Sequence, residues 1–119
     1  MSQITVDFVA FDDDRNACLL VLVEEGWSQP IDDHLRSLQE RFYGCLDATL
    51  DGHVADLFPN SLGRTIIIQV DCYDLPVEPL EKFVRRFAAG VFEMNGYSPE
   101  GSPFVHAFKF EVNHCKLPA

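Results

Sequence analysis

Ile31, Leu35, Leu38, Phe42, Cys45, Leu46 and Thr49 recur at helical spacing and form one continuous apolar stripe. A stripe of that length must be buried against another layer, and it constrains the fold more than any other feature of the chain. Pro30 suits the first turn of this helix, with Ser28 or Gln29 as its cap and Asp32 and Asp33 near its positive end. Gly52 is a natural stop.

The flanking segments repeat with period two instead. Across Ile4–Phe11, Ile4, Val6, Phe8 and Ala10 fall on one face, and Thr5 and Asp7 begin the other, which turns apolar at Val9 and Phe11. After the polar turn Asp12–Asn16, Ala17–Glu24 is apolar on both faces, as in a central strand covered above and below. The two read as an antiparallel hairpin with a loop of about five residues. His53–Phe58 adds a short helical turn before Pro59–Gly63 breaks the chain, and Arg64–Tyr73 reads as a third strand. Pro76 and Pro79 set the start of the next helix near Val77, with Leu80, Phe83, Val84, Phe87, Ala88 and Val91 as its buried stripe. Met94–Pro103 reads as loop. Phe104–Val112 alternates as a fourth strand, with Phe104, His106, Phe108 and Phe110 on one face. The expected architecture is α+β: one domain over residues 1–119, a two-layer sandwich of order β-β-α-β-α-β, with about four strands and two helices on one sheet face. If the second and third strands are parallel, the intervening helix makes a right-handed crossover.

The charge of −10, from 19 acidic residues against nine basic ones, repels nucleic-acid phosphates and anionic lipid. It favours a basic protein partner, or serves solubility alone. The N-terminus has neither a basic leader nor a cleavage site, and no apolar run approaches the roughly 18–20 residues that span a bilayer. Cys18, Cys45, Cys72 and Cys115 lie scattered in apolar or periodic segments and read as buried thiols of a cytoplasmic protein rather than as a disulfide framework.

Chemistry-bearing motifs are missing from the sequence. His34, His53, His106 and His114 have no metal-ligand spacing, and His114-Cys115 on a strand would face opposite ways. Counted as a calcium loop from Asp12, the chain puts Ala17 and Val23 where glycine and glutamate are needed. There is no nucleophile elbow and no glycine-rich phosphate loop. The expectation is a non-catalytic chain without metal or cofactor.

Two local rules break on the outward face of the first helix. Asp33, Arg36, Glu40, Gly44, Asp47 and Asp51 share that face, and like charges one or two turns apart are mildly destabilising. Gly44 within a helix costs about 1 kcal/mol relative to alanine. The second helix balances its charges through Glu78–Lys82 and Glu81–Arg85. Trp27, the single tryptophan, lies at the entry to the first helix, where it caps the core or anchors an interface.

Val6-Asp7-Phe8-Val9-Ala10, Val23-Glu24, Trp27, His34-Leu35 with Leu38-Gln39-Glu40, Leu46, Asp51-Gly52, Pro59, Gly63-Arg64 and Ile66–Val70 together resemble a family of small bacterial proteins known only as a domain of unknown function. Its members carry an IDF segment, an HLxxLQEKIN block and a YP…GR turn. Here Arg41-Phe42-Tyr43 stands in place of Lys-Ile-Asn, and Phe58-Pro59 in place of Tyr-Pro. The resemblance covers residues 4–97, so 98–119 looks like an addition beyond the family's usual end. It implies a bacterial cytoplasmic protein and transfers no catalytic residue.

The leading expectation is a protein-binding module, an immunity protein by analogy, neutralising a basic toxin through Asp33, Glu40, Asp47 and Asp51, with Tyr43 beside Gly44 as an anchor. The alternatives are a homodimeric scaffold pairing through the Phe104–Val112 edge strand, and a small-ligand-binding domain.

Overall fold

The computed structural model of the chain describes residues 6–26, 30–93 and 97–115. Strands β1 (Phe8–Asp12) and β2 (Ala17–Glu25) are followed by helix α1 (Ile31–Leu50), the short helix α2 (His53–Leu57) and a 3-10 turn at Pro59–Ser61. Strand β3 (Thr65–Tyr73), helix α3 (Val77–Val91) and strand β4 (Ala107–Cys115) complete the order β-β-α-α-β-α-β. The four strands form one mixed sheet in the order β1-β2-β3-β4. β1 runs antiparallel to β2, while β2, β3 and β4 are mutually parallel. This is the expected α+β architecture, and the parallel pairs are why α1 and α3 must cross over between them.

The hairpin turn Asp13–Asn16 is one residue shorter than expected. It closes through an amide bond from Asn16 to the Asp13 carbonyl (3.1 Å), with Asn16 in the left-handed region at φ +48°. Asparagine tolerates that conformation better than most residues. At the other end of β2 the entry to α1 is made by Pro30, whose side chain provides no capping bond. The expected caps Ser28 and Gln29, and the proposed anchor Trp27, lie outside the described residues.

One sheet face carries the core. Cys18, Leu20 and Leu22 of β2, Ile66, Ile68, Val70 and Cys72 of β3, and Phe108 of β4 are buried beneath Leu38, Phe42, Cys45, Leu46 and Ala48 of α1 and Leu80, Val84, Phe87 and Val91 of α3. Phe42 is fully buried at the centre, its ring 5.1 Å from both Phe87 and Phe110. Burial of one such ring stabilises the fold by about 1.5–3 kcal/mol. Thr49, the buried polar residue at the end of the stripe, donates its hydroxyl to the Cys45 carbonyl at 2.8 Å.

Two strand readings need correction. In β1 the register pairs Phe8 with Val21 and Val9 with Leu20, so Val9 faces the helices while Phe8 is 59% exposed on the far side. The apolar face expected from Ile4, Val6, Phe8 and Ala10 is therefore not the core face of β1; Ile4 itself lies outside the described residues. β4 begins three residues later than expected. Phe104 and His106 precede it, and the Phe104 ring instead lies over Gly52.

Gly52 has φ +85°, and a Cβ there would lie 2.8 Å from the Phe104 ring. Left-handed backbone and close approach both require glycine at this α1–α2 corner. β2 is central, as its sequence implies, but both helices cover the same face. Leu19 and Val23 on the opposite face are only partly buried.

Candidate partner-binding face

Helix α1 presents Asp33, Glu40, Gly44, Asp47 and Asp51 along the side away from its buried stripe. Its 20 residues span about 30 Å. Asp33, Glu40 and Asp51 are exposed. Arg36, the one base on this stripe, stands 4.0 Å from Asp33. Among the described residues a Cβ added at Gly44 would meet nothing within 4 Å, so no packing there explains the glycine.

The stripe is not uniformly bare. Asp47 is half-buried beside Tyr97; burial first, then this carboxylate, pushes the Tyr97 phenol above its usual range. Tyr43, expected as an anchor beside Gly44, packs edge-on against Phe87 (5.2 Å) and tilted against Tyr97 (5.4 Å). It belongs to an aromatic cluster joining α1, α3 and the segment before β4. Helical periodicity puts both residues toward the outward side of α1, and it says nothing of where a later loop will lie.

The cations are distributed unevenly. Arg15 bridges Asp12 and Glu111 (2.7 Å each), Arg64 binds Asp13 (2.8 Å), and Arg41 binds Glu24 (2.8 Å) and Asp7 (2.9 Å). Lys82, Arg85, Arg86 and Lys109 are exposed and, among the described residues, have no ion-pair partner. The i,i+4 pairs expected on α3 do not form; Glu81 instead meets His114 at 3.0 Å. Among the described residues the uncommitted positive charge thus lies on α3 and β4, and the outward side of α1 is acidic.

The Arg41 cluster is formed by residues far apart in sequence. Partial burial opposes charge on Asp7, but the Val23 amide (2.7 Å) and the Arg41 guanidinium outweigh it and hold the carboxyl below its usual range. The available signal was Asp7 itself, a carboxylate on the strand face that carries Val9. An inward charge needs a cation, and Arg41 lies at the edge of the α1 stripe.

The parallel register seats Cys72 beside His114. The His114 ring turns to Glu81, while the thiol lies 3.7 Å from the Val70 carbonyl. Burial, reinforced by the neighbouring Asp71, pushes the Cys72 thiol up to about 12, so no thiolate is supported there. Among the described residues no group of three His, Cys, Asp or Glu side chains is arranged to hold a metal ion, and no helix is long and apolar enough to cross a membrane. No protein-family model, no curated protein and no solved structure matches the chain.

Proposed function

We propose that the chain is a protein-binding module that presents the outward face of α1 to a basic protein partner. The observation that carries this reading is the acidic charge exposed on that face. Asp33, Glu40 and Asp51 are exposed along one helix side, and its single base, Arg36, already stands by Asp33. A field of that sign speeds encounter with a basic surface and rejects acidic ones. The partner chemistry that fits is a protein whose own work requires a phosphate-binding, basic site. A nuclease toxin is one such protein, and the chain would then act as its immunity protein. Gly44, where a side chain would meet no described residue, would let that partner approach closely.

The test uses the intact chain as bait in an extract of its native host, beside a Glu40→Lys/Asp51→Lys variant. Both positions are exposed, so the fold should tolerate the change. The expected result is a basic protein retained by the wild type, released by moderate salt and lost with the reversed bait. Equal capture of the same protein by both baits would rule this face out.

A further inference from the structure

The sheet has two edges, and they differ in kind. β1 has five residues, is preceded by Asp7, and runs into Asp12, Asp13 and Asp14. A short edge flanked by carboxylates resists pairing with another strand. β4 has nine residues and, among the described residues, no strand on its outer side. Its open face carries Lys109 and Glu111, and its helix face carries Phe108, Phe110 and Val112.

We propose that β4 pairs with β4 of a second copy of this chain, antiparallel about a two-fold axis at Phe110, so that one sheet continues through both copies. Antiparallel partners must share a face, so two identical strands can align only residues of equal parity. The registers centred on Phe110, Glu111 and Val112 use most of β4, and one centred on Lys109 uses little more than half. Centring on Val112 sets Glu111 against Asn113 and leaves Lys109 opposite Cys115, with no charge pair. Centring on Lys109 sets that lysine against itself, and centring on Glu111 sets two glutamates together. Only the register centred on Phe110 places each Lys109 opposite Glu111 of the other copy, forming the pair twice. On the helix face it sets Phe110 against Phe110 and Phe108 against Val112. Opposite charges and apolar pairs directly across a ladder are favourable, and like charges are not.

The surroundings agree with this register. Phe110 and Val112 are half-buried and, with Val84 and Ala88 and the charged Glu81 and Arg85, line an open groove of about 390 Å³ between α3 and the edge strand. The second copy supplies apolar side chains to close it. Arg85 lines this groove and Lys109 stands on the edge strand, both without an ion pair among the described residues, so two chains of charge −10 meet at an edge that carries positive charge. Glu111 shares Arg15 with Asp12 and so keeps negative charge for Lys109 of the second copy. This surface is separate from the acidic α1 face and does not rest on it.

Sedimentation equilibrium of the intact chain tests the pairing. The wild type should be a dimer, and Lys109→Glu and Glu111→Lys should each raise its dissociation constant by about tenfold. An equimolar mixture of the two variants should associate again, because each then offers the charges the other needs. A monomeric wild type, variants that dimerise undiminished, or a mixture that stays apart overturns the proposal. Should Glu111→Lys unfold with loss of the Arg15 bridge, Lys109→Glu decides alone, since Lys109 has no ion pair within the described residues; undiminished dimerisation then overturns it.

Discussion

Arg41 on α1 reaches across 34 residues of sequence to hold the Asp7 carboxylate at 2.9 Å, while its other terminal nitrogen holds Glu24 at 2.8 Å. This joins the helix to the segment before β1 and to the end of β2. Arg41→Met should cost about 1–2 kcal/mol, less than a fully buried pair because Asp7 is partly exposed. The folded-state pKa of Asp7 lies below its unfolded value. Its contribution is therefore complete above about pH 4 and is lost as pH falls through the lowered value. Urea midpoints measured near neutrality and near pH 3 should differ less for the variant than for the wild type.

Gly44→Ala should raise stability by about 1 kcal/mol, since the added methyl meets nothing and the helix gains propensity. Thermal unfolding reads this directly. If the α1 face is the docking surface, the same variant should bind its partner more weakly. Stability and affinity would then move in opposite directions.

Gly52→Ala should cost about 2–4 kcal/mol, combining left-handed backbone with the clash against Phe104. In a Phe104→Leu background the steric part should shrink and leave about 1–2 kcal/mol. A double-mutant cycle by denaturant titration measures the coupling. Simple additivity would show that the ring is not what excludes a side chain at position 52.

Burial pushes the Cys18 thiol up to about 11 and the Cys45 and Cys72 thiols up to about 12, whereas Cys115 is partly exposed. Iodoacetamide at neutral pH should label Cys115 first, giving one added group by intact mass. The other three should react only as the protein opens.

Much of the architecture is legible in the sequence because helical periodicity and proline placement are local. The α1 stripe, the start of α3 at Val77 and the break at Gly52 each follow from residues within a turn or two. The face of β1 is not legible, since Phe8, Val9, Ala10 and Phe11 are apolar on both sides and only pairing with β2 decides which side is inward. Phe104 alternates in phase with Phe108 and Phe110, yet its position is dictated by a glycine 52 residues earlier. The candidate face was legible as a charge pattern at Asp33, Glu40 and Asp51. Its covered part was not, because Tyr97 reaches Tyr43 and Asp47 only through tertiary structure.

The parallel register that seats Cys18 beside Ile66 and Ile66 beside Phe108 has a kinetic consequence. The β1–β2 hairpin can close from neighbouring residues. The central ladder must wait for α1 and its following turns to bring distant segments together, at the full entropy of closing that loop. Refolding should therefore be limited by docking β3 onto β2. Until β3 arrives, β2 is an open edge rich in leucine and valine, so the interval before docking is when newly made chains are most exposed to aggregation.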